Sequence, residues 1–376
     1  MRIVVSSGGT AGHIYPALAV TEELLKAGHE VLFAGTPNSQ EERLITALEV
    51  SYTAFEATGL NRSNPLSVPS FIWRIAVSTN QAKKWLDTVR PDVVAGFGGY
   101  ASVPVSRAAT QRRIPLLIHE QNSTAGWANR LLSKKASAVA LTYAEAGKNL
   151  TRSKTALIKV TGNPVRRALL ELDEPSRRSE ARAAFRSEKG IPLDSTVLMV
   201  FGGSQGARSV NEAVLEQAQV ILSQHEVHVI HITGPKQFSV VNAQIAQEFS
   251  PEQALRWHTI DYCTQMGEAY VSSDLVLSRA GASSLAEIAA LGMPALLIPY
   301  PYATNDHQSA NARSLVAAGA ARCVADFDLD KPVFVETLLK LLTSKDLRDS
   351  MSRAARSMNA ATATQNVIGL LLDIAP

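Results

Sequence analysis

The chain has 376 residues, 46% hydrophobic and 19% charged, with a formal net charge of +3. That length suggests two or three domains with separate cores, and so small a charge excess, with no Lys/Arg-rich run or aromatic RNA motif, argues against a nucleic-acid partner. Cys263 and Cys323 lack metal-ligand spacing, which argues against a zinc site or a disulfide framework, and no apolar run is long enough to span a bilayer.

The opening MRIVVSSGGT reads as a strand entering a glycine loop rather than a signal peptide. A cytoplasmic or at most surface-bound protein is expected. After the strand at Ile3–Ser6, apolar residues recur at helical spacing from Tyr15 to Ala27, with Gly28 as a C-terminal stop. A strand at Glu30–Ala34, a helix near Gln40–Leu48 and a strand near Tyr52–Ala57 follow. Further strands are predicted at Val93–Ala95, Leu116–His119, Ala138–Leu141 and Leu157–Val160, with helices between them. Such alternation means right-handed βαβ units and a parallel sheet. The pattern then restarts. A charged helix around Arg177–Lys189 leads to a strand at Thr196–Phe201, which enters GGSQGA, and a helix begins at Arg208. Strands at His228–Thr233, Arg256–Ile260, Leu275–Ser278 and Ala295–Ile298 continue the second series, and helices near 331–343, 345–358 and 362–373 close the chain. The expected domains are 1–163 and 164–355, with the last helix, about 356–376, crossing back onto the first.

Two glycine loops, VVSSGGTAGH and LMVFGGSQGA, use the same device: apolar strand, paired glycines, small polar loop, helix. The first is not the dinucleotide fingerprint, and its next strand ends in Ala34-Gly35-Thr36 without a ribose acid. It also lacks the Lys of a P-loop. What remains is a turn whose N–H groups can wrap an anion, or one that lets strand and helix pack closely; finding it twice favours the first account. His13 stands at the start of the following helix, where the positive helix end favours an uncharged imidazole suited to act as a base; it is either that base or a structural residue of the helix start.

Gly98, Gly99 and Tyr100 form a further anion loop after VVAGF. Ile118-His119-Glu120-Gln121-Asn122 leaves polar groups at the mouth of another strand. Glu120 is either a base or the centre of a hydrogen-bond network holding neighbouring loops, and Asn122 a ligand contact. The stripe Leu66–Leu86 carries Phe71, Ile72, Trp73 and Ile75 beside Arg74, Lys83 and Lys84, which suits core packing or, if exposed, an anionic lipid surface. Asp326, Asp328 and Asp330 spell DxDxD, but Asp330 precedes Lys331-Pro332 and a helical run, so it is expected to cap that helix rather than to bind metal.

The stretch Ser278–Asn311 has the outline of a nucleotide-sugar site. Small residues at Gly281, Ala282, Ser283 and Ser284 open a helix start to a phosphate, Glu287 follows one turn on, and Asp306, His307 and Gln308 form a polar cluster.

Together, GGTAGHIYPALAV, FGGYASVPV, IHEQNSTAGWANRLL, TGNPVRRAL, FGGSQGARSVNE and RAGASSLAEIAALGMPALLIPY closely resemble the MurG family, the membrane-associated glycosyltransferases of bacterial peptidoglycan synthesis. The resemblance spans essentially the whole chain. It implies an α/β GT-B fold, two Rossmann-like doubly wound domains facing a cleft, with the acceptor in the first and UDP-N-acetylglucosamine mostly in the second. It implies inverting transfer of N-acetylglucosamine to undecaprenyl-pyrophosphoryl-N-acetylmuramoyl-pentapeptide (lipid I), giving lipid II. The family's donor positions fall on Thr10, Ala11, Gly12, Asn122, Arg166, Ser204, Cys263, Ala282, Ser283, Ser284, Leu285, Ala286, Glu287 and Gln308, with Glu287 on the ribose diol. Gly9, Gly98, Gly99 and Tyr100 would hold the acceptor pyrophosphate, and His13 and Glu120 match the candidate catalytic residues. Phe71, Ile72, Trp73 and Ile75 would meet an anionic membrane at its cytoplasmic face, with other cell-wall synthesis proteins as partners and no metal or cofactor. The sequence departs from the family at Ala11, where glycine is usual, and at Cys263, where isoleucine is common. A UDP-N-acetylglucosamine 2-epimerase, a natural-product glycosyltransferase or a non-catalytic sugar-nucleotide sensor would keep the donor site and change the first domain.

Overall fold

In the computed structural model, the central strands form where aliphatic runs are buried on both faces, as a parallel sheet covered by helices requires. The structure describes residues 1–57, 68–151, 155–224 and 226–376; Leu66 and Ser67, the first two positions of the apolar stripe, lie outside them. The chain divides into two compact units, Met1–Arg167 with Ala361–Pro376, and Ala168–Ala360.

The first unit holds β1 (Arg2–Ser6), β2 (Glu30–Gly35), β3 (Ser51–Ala54), β4 (Val93–Gly96), β5 (Leu116–Glu120), β6 (Ala138–Leu141) and β7 (Leu157–Val160). They form one sheet in the order β3-β2-β1-β4-β5-β6-β7, with every pair parallel. Period-two alternation splits β1 between two cores: Ile3 and Val5 face one side with Val20 and Leu24, and Val4 the other with Val94 and Ile118. The Ala363–Asp373 helix belongs to this unit. It adds Val367, Ile368, Leu370 and Leu371 to the first of those cores, and Thr364 Oγ1 donates to Val165 O at 3.2 Å. Burial of these four side chains stabilises the unit by about 1.5–3 kcal/mol each.

The second unit holds β8 (Thr196–Phe201), β9 (Val227–Ile232), β10 (Trp257–Ile260), β11 (Leu275–Ser278), β12 (Ala295–Leu297) and β13 (Ala321–Cys323), ordered β10-β9-β8-β11-β12-β13, again all parallel. The short edge strand β13 had no counterpart among the predicted strands. Both sheets have a point where the strand order reverses, between β1 and β4 and between β8 and β11. Ligands of open α/β sheets bind outside the carboxyl ends of the strands at such points.

The helix after β1 runs Ala11–Lys26, one turn earlier than the apolar pattern suggested. Its first turn, Ala11-Gly12-His13, is too small and polar to register as periodic. The capping expectation for Asp330 is corrected. The helix Pro332–Thr343 takes Lys331 as its N-cap with no side-chain cap bond, and Lys331 instead pairs with Asp328. Asp326 accepts from Ser209 Oγ at 2.8 Å and pairs with Arg279, which is 7% exposed and also donates to Ile298 O and Pro299 O. Asp326, through Arg279, is therefore part of a clamp across the ends of β11 and β12. Among the described residues, no group of three or more His, Cys, Asp or Glu could hold a metal ion.

Candidate active site

In the first unit, the loops after β1, β4 and β5 meet at the switch point. Gly99 has φ +73°, and a Cβ there would lie 2.1 Å from Gly8 O, so only glycine lets the two loops touch. Gly98, at φ +83°, leaves room for the His13 ring, whose Nδ1 a Cβ would approach to 3.1 Å. His13 sits in the first turn of the Ala11–Lys26 helix, partly exposed, and its Nδ1 lies 3.0 Å from Gln121 Oε1. Gln121, 1% exposed, donates through Nε2 to Phe97 O at 2.7 Å. Gly9 and Thr10 are exposed at the helix start, where Thr10 is the N-cap and makes no side-chain cap bond. Leading N–H groups at a helix start favour an anion.

Glu120, 1% exposed, ends β5 with both oxygens engaged. Oε1 accepts from Asn122 N at 3.0 Å and Asn122 Nδ2 at 3.5 Å; Oε2 accepts from Gly126 N at 2.9 Å and Asn129 Nδ2 at 2.8 Å. This carboxylate ties residues 120–129 into one loop, as the network account expected of it. His119 beside it is fully buried and stacked on Phe97; desolvation drives its imidazole down to about 4, against a bond to Gly162 O. Arg166 lies 4.3 Å from the Tyr15 ring centroid and is partly exposed. Burial raises the neighbouring Glu22 carboxyl, and Arg166 opposes that rise.

The Val68–Val89 helix divides the expected membrane stripe. Phe71 and Ile75 are buried, Phe71 ringed by Tyr100 and Trp127 at 5.7 and 5.9 Å between centroids, so these two are not surface residues. The reason is helical geometry: residues four apart share a face, and that face meets the Gly99–Gln111 and Trp127–Leu132 helices. Ile72 and Trp73 point the other way, 60% and 67% exposed.

In the second unit, the loop after β8 carries Ser204, exposed between Gly203 and Gly206. A Cβ at Gly206 would lie 2.1 Å from Thr233 O, which forces glycine where this loop crosses the end of β9. After β11, Gly281 caps the Ala282–Ala290 helix without a side-chain cap bond, and beyond its own chain neighbours the nearest atom to where its Cβ would be is Ser284 Oγ at 4.0 Å. The helix start is thus open. Ser283 and Ser284 are partly exposed, whereas Ala282, Leu285 and Ala286 face the core. The Leu285 N–H bonds Gly281 O, so this residue turns neither side chain nor N–H outward. Glu287, 8% exposed, accepts from Tyr270 Oη at 3.2 Å. Gln308 Oε1 accepts from Ala280 N at 3.1 Å and Tyr300 N at 2.9 Å, bridging the ends of β11 and β12 and leaving its Nε2 to donate elsewhere. Cys263 follows the edge strand β10, two strands from β8, and burial pushes its thiol up. The residues whose roles the motifs did not reveal are Gln121 and Arg279, each polar, nearly buried and next to a strand end.

The N-terminal domain signature of glycosyltransferase family 28 matches residues 3–141, and its C-terminal domain signature matches residues 197–367. A UDP-N-acetylglucosamine--N-acetylmuramyl-(pentapeptide) pyrophosphoryl-undecaprenol N-acetylglucosamine transferase of Halothermothrix orenii is 36% identical over 376 residues, covering 100% of this chain and 99% of the relative. The enzyme of the same description from Salinibacter ruber is 36% identical over 100% of this chain and 97% of its own. Among solved structures, Acinetobacter baumannii MurG superposes with a TM-score of 0.74 at 28% identity, covering 99% of both chains. A Neisseria meningitidis UDP-GlcNAc 2-epimerase bound to UDP-GlcNAc reaches 0.68 at 18% identity over 99% of this chain and 100% of its own, a likeness of fold alone.

Proposed function

The chain belongs to glycosyltransferase family 28, and from that premise we propose that it transfers N-acetylglucosamine from UDP-N-acetylglucosamine to the muramoyl 4-hydroxyl of lipid I, giving lipid II. The observation that carries this reading is identity above one third along the full length to transferases of that description.

The reaction is a single displacement. The bond from the muramoyl O4 to the sugar C1 forms on one face as the bond from C1 to the β-phosphate oxygen breaks on the other, and the electron pair leaves with UDP. In our reading His13 Nε2 receives the hydroxyl proton. The open start of the Ala282–Ala290 helix and the N–H groups around Ser204 meet the diphosphate charge, with Arg166 as a further cation. Glu287 accepts from the ribose diol, and Gln308 Nε2 donates to the donor sugar. Gly9, Gly98, Gly99 and Tyr100 receive the acceptor pyrophosphate on backbone N–H groups. Glu120 holds the loop that carries Asn122 and takes no proton, because both its oxygens already accept hydrogen bonds in a site closed to water.

Because the acceptor is lipid-linked, the protein works at the cytoplasmic face of the membrane as a peripheral enzyme. No helix among the described residues is long and apolar enough to cross a bilayer. Exposed Ile72 and Trp73, with Arg74 between them and Ile75, suit contact with anionic lipid. Incubation with UDP-N-acetylglucosamine and a short-chain lipid I analogue tests the function. Equal amounts of disaccharide product and UDP are expected; an epimerised donor, or no disaccharide, would overturn it.

A further inference from the structure

Gln121 is nearly buried and makes two side-chain hydrogen bonds, and their chemistry fixes more than its own position. Phe97 O can only accept, so the amide end 2.7 Å from it is the NH2 group. The carbonyl end, Oε1, therefore faces His13 Nδ1 at 3.0 Å. An amide oxygen can only accept, so Nδ1 must carry the proton. The neutral ring then holds its lone pair on Nε2. The side chain reaches this place because Gln121 directly follows β5, while Phe97 follows β4 and His13 opens the helix after β1, so one amide joins three adjacent strand ends. The ring is seated besides by the Gly98–Gly99 turn, within 3.1–3.4 Å of where two Cβ atoms would stand.

We propose that Gln121 is a positioning residue for the transfer: its amide holds His13 in the Nδ1–H tautomer, which makes Nε2 the proton acceptor. The proposal rests on His13 being the base. It explains why a neutral amide, pinned at its far end by a main-chain carbonyl, stands here. Serine-protease triads use a carboxylate for the same purpose, and loss of the correct tautomer there is costly. Gln121 orients the ring without adding charge beside an anionic acceptor. When Nε2 takes the hydroxyl proton, Nδ1–H keeps its bond to Oε1, and the Nε2 proton later leaves to water.

The test combines a spectroscopic and a kinetic readout on the full chain. In protein labelled with 15N-histidine, with the His13 resonances assigned by their loss in His13→Ala, wild type should show the Nδ1–H tautomer at neutral pH. Gln121→Met, close in volume but unable to accept, should mix the tautomers and lower kcat roughly ten- to a hundredfold with the donor KM nearly unchanged. Gln121→Glu keeps an oxygen for Nδ1–H but sets its other oxygen against Phe97 O, so it should keep the proton on Nδ1 while lowering the melting temperature. An Nε2–H tautomer in wild type overturns the proposal without any variant having to fold. So does a Gln121→Met protein with unaltered tautomer and kcat. If His13→Ala turns over normally, the base reading fails instead, while the tautomer measurement still stands by itself.

Discussion

At the switch point of the first sheet, the strand ends carry titratable and hydrogen-bonding side chains: His13, His119, Glu120 and Gln121. At that of the second they carry glycines, serines and an open helix start, with Glu287 one turn behind. Both rest on the same backbone device, a glycine loop that lets neighbouring strand ends touch, at Gly99 against Gly8 and at Gly206 against Thr233. Duplicated backbone therefore says little about division of labour, and the side chains say most of it. Proton transfer needs an oriented base, which the proposed reading finds in His13 of the first unit. Holding a nucleotide diphosphate needs fixed N–H dipoles and a diol acceptor, roles the same reading gives to the helix start and Glu287 of the second.

The sharpest break would come from exchanging the two candidate bases. His13→Ala should lower kcat roughly a hundred- to ten-thousandfold, with UDP binding by calorimetry unchanged. Glu120→Gln should act on stability instead. An NH2 group would face two of the four donors, at a cost of about 2–3 kcal/mol, visible as a lower melting temperature, while turnover measured well below that temperature persists. Reversed results would exchange the two roles.

On the second unit, Glu287→Gln should weaken donor binding by roughly tenfold to a hundredfold, through loss of a charged acceptor, and should leave acceptor KM alone. A donor affinity equal to wild type would remove Glu287 from the diol.

Acid should separate the units more gently. His119 in the first unit and His231 in the second are fully buried, and desolvation holds them at about 4 and about 3. His228 and His258, stacked with Nδ1 and Nε2 3.2 Å apart, are also lowered by burial, His258 to about 4. A folded pKa below the unfolded value means that the unfolded chain takes up the extra protons. The stability is therefore complete above about pH 6.5 and is lost as pH falls towards the folded values, by about 2 kcal/mol at pH 5 for each fully buried ring. Three of these four rings lie in the second unit, so at pH 5 the opening free energies from hydrogen exchange, corrected for the slower intrinsic rate in acid, should fall further in β9 and β10 than in β1 and β5. Uniform loss would contradict this.

The smallest effect is expected at the surface. Trp73→Ser should reduce binding to anionic vesicles roughly three- to tenfold and leave turnover on a short-chain acceptor intact; equal vesicle binding would move the membrane contact elsewhere.

The repeated strand–glycine–helix pattern made the two parallel sheets legible from the sequence, because burial on both faces leaves long aliphatic runs and tight turns demand glycine. The Ser278–Asn311 helix start was legible for the same reason. Less could be read where a partner comes from distant sequence. Phe71 turns inward because Tyr100 and Trp127 wait there, and Asp326 is held by Arg279 and Ser209, 47 and 117 residues away. Gln121 stood in view within the polar run after β5, but the carbonyl that orients it, Phe97 O, is a backbone atom and leaves no trace in residue identity.

The Ala363–Asp373 helix, whose apolar face completes the core around β1, also sets an order of birth. The first unit lacks four of its core side chains until residues 363–373 are made, while Ala168–Ala360 is made in between. At usual synthesis rates that delay is roughly ten to forty seconds. Through that interval the first unit is without part of its core, and the later-made unit has all of its own residues first.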